Sequence, residues 1–284
     1  MRAIVQPGPP ARERVRWVQS HGRPVAFDLP SGRLLLDAVR TAFAGEGFAC
    51  GVLRLEAGAL EPLAYVMPAL SPTPRHAAFY SETHRPEGGG SLVLGALTFG
   101  RRDGEPFFHC HALWREADGT LHGGHILPDE TRIGETLRVS GVGLSDAVFE
   151  TAPDPETNFP LMTPRAIDES AGESGRYFAL RLCPNQDLPG ALEAFCAARE
   201  IGSAVLHGGV GSIIGARFTD GSAVEPFATE MAIQAGIVGA SSAGGLEASI
   251  DVGLVDLTGA VARGRLSRGN NPILMTLETV LEAR

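Results

Sequence analysis

The sequence predicts an α+β protein built from two similar domains in tandem, each a mostly antiparallel sheet with one main helix. Three observations point there. The chain has 284 residues, 44% of them hydrophobic, which at roughly 150 residues per domain suggests two compact units. Composition changes between Thr151 and Gly175, where Pro153, Pro155, Pro160 and Pro164 alternate with Asp154, Glu156, Asp168, Glu169 and Glu173. Such a stretch reads as an extended linker. Finally, the two sides of that stretch repeat each other. Ala26 to Leu60 lies on Ala179 to Ile213 without a gap, keeping Ala26, Leu29, Leu35, Ala38, Ala44, Val52, Leu53 and Gly58. Glu105 to Ser140 lies on Gly245 to Val280, keeping Gly119, Gly124, Ile133, Thr136 and Leu137. The expected organisation is an N-terminal arm (1–20), a first domain (21–150), a Pro/acidic linker (151–175) and a second domain (176–284).

The elements follow in order. Met1 to Ser20 is rich in arginine and proline and lacks the continuous apolar core of a secretory signal, so a short mobile arm is expected. Each half opens with a short apolar strand, Val25 to Leu29 and Tyr177 to Leu182. A helix follows with apolar residues at helical spacing: Leu35, Val39 and Phe43, then Leu188, Leu192 and Phe195. Gly51 to Leu55, Ser91 to Phe99, Phe107 to Trp114 and Thr120 to Leu127 are short apolar runs bounded by turn residues, which favours strands. One helix against such strands makes an α+β domain.

Phe107 to Trp114 reads FFHCHALW, and Asp118-Gly119 then leads into TLHGGHIL. Alternate residues of a strand face one side, so His109 and His111 can aim both imidazoles at one point. Asp-Gly is a hairpin turn signal and brings a third histidine beside them, either His125 or His122. Three neutral imidazoles with an open fourth position are a standard way to hold catalytic zinc. Cys110 lies between the pair in sequence but points to the opposite face, as a buried thiol. The competing explanation is a hydrogen-bonded histidine cluster in a polar pocket.

With His109-Cys110-His111 on one strand and Gly123-Gly124-His125 on the next, the sequence resembles the PPC (plant and prokaryote conserved) domain. The resemblance implies a strongly bent antiparallel sheet with few helices, a zinc ion on His109, His111 and His125, and assembly as a homotrimer, with a dimer as the alternative for a tandem chain. Plant members are associated with DNA through a separate AT-hook; here His21-Gly22-Arg23-Pro24 matches only a fragment of one and reads better as the start of a strand. The second half aligns Ser249, Asp251 and Arg265 with the three histidines, and no second metal site is expected. The fold is also similar to that of alpha-acetolactate decarboxylase, a zinc enzyme whose histidine spacing would select His122.

Between Met67 and Gly90 the first half carries an insertion absent from the second. Long loops in compact domains tend to be functional, so Arg75, Tyr80 and Glu82 are candidates for a wall over the metal site, with Arg54 and Tyr65 from neighbouring strands. A small-molecule ligand is expected there, which makes a metal-dependent lyase or hydrolase one reading and a non-enzymatic oligomerising or DNA-associated module the other. The net charge of -9 disfavours nucleic acid. The longest charge-free run near the C-terminal end is short and rich in Gly and Ser, too short for a membrane span. Four cysteines without a CxxC pair suggest reduced thiols and a cytoplasmic setting.

Overall fold

The computed structural model describes residues 1–168 and 174–284; residues 169–173 of the expected linker lie outside the described residues. The chain opens with β1 (Val15–Ser20), β2 (Gly22–Leu29), α1 (Leu35–Gly45) and β3 (Cys50–Leu60). The insertion holds three two-residue strands, β4 (Tyr65–Val66), β5 (Pro68–Ala69) and β6 (Phe79–Tyr80). Then come β7 (Gly90–Arg102), β8 (Glu105–Arg115), β9 (Leu121–Ile126), β10 (Ile133–Leu144), β11 (Ala147–Pro153) and β12 (Pro160–Ala166). The second half runs β13 (Tyr177–Leu182), α2 (Leu188–Ala198), β14 (Ala204–Arg217), β15 (Ala223–Ala240), β16 (Leu246–Asp256), β17 (Val261–Arg265) and β18 (Ile273–Ala283).

The repeat seen in sequence is a repeat of topology. One sheet has the order β2-β10-β3-β7-β8-β9-β4, and the other β1-β13-β18-β14-β15-β16-β17. Apart from β4 and β1 at the edges, the two orders correspond strand for strand, and α1 and α2 occupy the same place between the first two strands of each half. The fold is thus α+β, mostly antiparallel, with two helices among the described residues.

Each helix covers the outer face of its sheet. Helix α1 buries Leu35, Ala38, Val39 and Phe43, the i, i+3, i+4 set expected of an amphipathic helix, and these pack with Leu53, Leu97, Cys110 and Trp114. Helix α2 starts at Asp187, whose carboxylate accepts the Gly190 N–H. It buries Leu188, Leu192, Phe195 and Cys196 against Leu206, Met231 and Ile250. The inner faces of the two sheets meet: Leu94, Ala96 and Leu113 pack on Val210 and Ala232. At Gly253 any side chain would intrude on this seam, since a Cβ there would lie 2.7 Å from Leu113 Cδ1. The layers run helix, sheet, sheet, helix, and the odd-numbered residues of β8 face the seam.

Two expectations are corrected. The N-terminal arm is tied down. β1 pairs with β13 along its length, Ile4 N–H donates to Asn185 Oδ1, and Gln6 Nε2 donates to the Leu274 carbonyl. The expected linker is largely a hairpin, in which β11 pairs with β12 and Pro153 faces Pro160 at its mouth. Prolines are tolerated there because the ladder does not continue past them. Two of its acidic residues are buried ion-pair partners: Asp154 for Arg181 at 2.6 Å and Glu156 for Arg14 at 2.6 Å, whereas Asp168 is exposed. Sequence composition could not reveal this, because both partners are remote in the chain.

Candidate metal centre

The site is assembled on one hairpin. Beyond β8, the chain reverses at Asp118-Gly119, where Asp118 Oδ1 accepts the Thr120 N–H at 2.8 Å and Gly119 takes φ +83°. The register pairs His111 with His125 and Trp114 with His122. Glycine precedes His125 for a packing reason, since a Cβ on Gly124 would lie 2.6 Å from the Val66 carbonyl oxygen. Trp114 and Gly124 point toward α1, whereas His109, His111, Leu113 and His125 point into the seam between the sheets.

Three nitrogens converge there. His109 Nε2 lies 3.0 Å from His111 Nε2, which lies 3.3 Å from His125 Nδ1. One ligand atom from each of the three residues lies within 4.8 Å of the other two. Metal–nitrogen bonds of about 2.0–2.1 Å in a tetrahedron put neighbouring nitrogens about 3.3 Å apart, so the spacing fits a single ion. The outer nitrogens of two rings are already committed. His109 Nδ1 is 2.6 Å from Glu278 Oε2, and His111 Nδ1 is 3.1 Å from the Met231 carbonyl oxygen. With a proton on each Nδ1, two Nε2 lone pairs face each other at 3.0 Å, an arrangement that a metal ion between them, or a second proton on one ring, satisfies. Burial pushes His111 well below the usual histidine range, and the neighbouring imidazoles add to this. Burial does the same to His125, with smaller contributions from His109 and Arg102. Neutral imidazole is the form that binds metal.

His122 is not part of the cluster. It lies an odd number of residues from His125, on the opposite face of β9, with Nε2 3.8 Å from Glu116 Oε1. Of the other pocket candidates, Tyr80 lines a cleft beside His109 and His111. The rest are elsewhere. Tyr65 is buried against Trp114 and His84 on the α1 side of the sheet. Arg54 reaches the Gln234 carbonyl at 3.4 Å and lines a separate surface recess with Glu56. Arg75 and Glu82 are exposed and line no part of the cleft. Within an excursion between strands, the sequence does not register which side chains turn inward.

The cleft also has walls that sequence reading missed, because the second half supplies them. Glu230, Thr229, Ser212, Met275 and Thr276 line it with Tyr80 and Phe159, around a free volume of about 60 Å³, room for several water-sized groups. Glu230 is 6% exposed and its Oε2 has no hydrogen-bond partner. Burial pushes its carboxyl well above the usual carboxylate range, with the His125 backbone amide offsetting only part of this. It therefore keeps its proton where an exposed glutamate has lost it.

In the second half, Asp251 and Arg265 pair in the same register as His111 and His125. They form a two-pronged ion pair at 3.0 and 3.1 Å. The guanidinium occupies the position of a ligand, so metal content is expected to be unchanged in Asp251→Ala, as elemental analysis would read.

Known proteins resemble parts of this chain. Residues 169–283 match the family model of the Plants and Prokaryotes Conserved (PCC, or PPC) domain. The match falls on the half without the histidines. A PPC protein of Pyrococcus horikoshii superposes with a TM-score of 0.39 and 19% identity, covering 51% of this chain and 93% of its own. A metal-containing protein of Archaeoglobus fulgidus gives a TM-score of 0.39 and 19% identity, covering 53% and 98% respectively. No curated protein matches the sequence. Residues 169–283 are thus similar to the PPC domain, and the first half repeats the strand order of the second.

Proposed function

We propose that this chain is a zinc-dependent enzyme of lyase or hydrolase type acting on a small oxygenated substrate, with His109, His111 and His125 as the metal ligands. The observation that carries the reading is the pair of Nε2 atoms 3.0 Å apart, each with its Nδ1 already engaged, opening onto a cleft that holds a buried carboxyl. Zinc in a three-histidine site supplies a Lewis-acid contact to a substrate oxygen. Glu230, whose burial favours the neutral carboxyl, would offer a hydrogen bond to a group bound in the cleft. Phe159, Leu161 and Met275 keep bulk water from the opposite wall. Four buried, unpaired cysteines support a reducing, cytoplasmic setting, and no helix among the described residues is long and apolar enough to cross a membrane. The proposed assembly is a homotrimer, with a dimer as the alternative; light scattering separates the masses.

Cobalt-substituted protein tests the enzyme reading. Its visible spectrum should shift when a small hydroxamate or carboxylate is added, because an open coordination position accepts the new ligand. A spectrum that ignores such ligands would indicate a saturated, structural metal, as in an accessory module. Acidification supplies a further expectation. Protons compete for the three imidazoles, so zinc affinity should fall with pH, and the lowered His111 and His125 should hold metal to below the ordinary histidine value. Equilibrium dialysis across that range would check the direction.

A further inference from the structure

We propose that Glu278, on β18 of the second half, is the positioning residue that orients His109 for the metal. The half of the chain that lacks the histidines then sets the affinity of the half that has them. The inference rests on the metal reading above.

A histidine ligand must choose one tautomer and one ring orientation, and a carboxylate on the outer nitrogen fixes both while making the inner nitrogen a better donor. Glu278 is fully buried, with Oε2 2.6 Å from His109 Nδ1. Its other oxygen accepts the Thr276 hydroxyl at 2.9 Å. That hydroxyl in turn accepts from Arg181 Nε at 3.2 Å. Arg181, 1% exposed, is anchored by Asp154 at 2.6 Å and Thr163 at 3.1 Å. Each partner has its geometry set by the next, so the carboxylate cannot swing away from the ring. His111 receives its outer partner, the Met231 carbonyl, from the second half as well.

Comparison of the two halves shows that this acid is not a general feature of the repeat. The registers of β2 with β10 and of β13 with β18 place Arg138 at the position equivalent to Glu278. Arg138 is exposed and pairs with Asp28 at 3.4 Å. The carboxylate is present only where it faces a histidine that the other half supplies.

The test compares the full-length wild type with Glu278→Gln, an isosteric change that removes the charge. Zinc affinity, read by competition with a chromophoric chelator, should weaken roughly 10–100-fold, with the melting temperature of the metal-free proteins compared alongside. Imidazole ¹⁵N NMR of metal-free wild type should find the His109 proton on Nδ1, and Glu278→Gln should mix the tautomers. Zinc affinity within twofold of wild type, or a wild-type proton on Nε2, would overturn the proposal. If Glu278→Gln does not fold, Thr276→Val serves, since it frees one carboxylate oxygen while keeping Glu278. A weaker loss in the same direction supports the role, and none refutes it. Should wild type itself bind no zinc, the metal reading fails, while the tautomer measurement still decides what Glu278 does.

Discussion

His111→Ala is expected to strip the protein of metal: zinc-loaded wild type should carry about one ion per chain, and the variant close to none after desalting. His111 is the central member of the cluster, with its Nε2 within 3.0 Å of His109 and 3.3 Å of His125. Removing it leaves two imidazoles that no longer share a neighbour, and the loss should exceed the roughly 10–100-fold that follows from removing a partner behind a ligand. His122→Ala is the matched control. That ring sits on the other face of β9, and its removal should leave stoichiometry unchanged. Elemental analysis of the two variants decides the third ligand, because loss of metal in His122→Ala would mean that the strand register differs from the one described.

Asp154→Ala should produce the largest loss of stability, about 3–5 kcal/mol, because it leaves the Arg181 guanidinium charged, buried and unpaired. Both side chains are 1% exposed, so solvent cannot take over the role of the carboxylate. Urea unfolding followed by circular dichroism would measure the loss. The double variant Asp154→Leu/Arg181→Met should recover much of it, since removing both charges leaves no orphan. The pH dependence has a definite sign. Burial on its own would raise the Asp154 carboxyl, but the charge and hydrogen bonds of Arg181, with those of Thr157, outweigh it and hold the group below its usual range. Its contribution is therefore full above the ordinary aspartate value of about 3.9 and is lost as pH falls through the lower folded value. The gap between wild type and Asp154→Asn should close in strong acid, and a gap that widened there would contradict the pairing.

Much of the architecture was legible because it depends on local periodicity. Leu35, Val39 and Phe43 mark one helix and Leu188, Leu192 and Phe195 the other, and in each case the structure buries those residues against a sheet. The side-chain alternation of a strand put His109 and His111 on one face and Cys110 on the other, and Asp118-Gly119 announced the turn that returns a third histidine, His125 or His122, of which the observed register brings His125 to the pair. The insertion was harder to read. Arg75, Tyr80 and Glu82 were equivalent as polar residues of a long loop, yet only Tyr80 reaches the cleft. In the proline-rich segment, composition suggested a solvated linker, whereas Asp154 and Glu156 are buried because Arg181 and Arg14 meet them there.

By itself, then, the sequence determined the two-fold repeat, the α+β class and the three histidines on one hairpin, all set by spacings of a few residues or by self-similarity along the chain. Only the tertiary structure decided that the two sheets lie face to face. It thereby decided that Glu278, Met231 and Glu230 of the second half complete a site whose histidines belong to the first. The separation between His109 and Glu278 is 169 residues, and no local pattern encodes a contact at that distance. It exists because each sheet has one face covered by its own helix and must bury the other apolar face against its repeat.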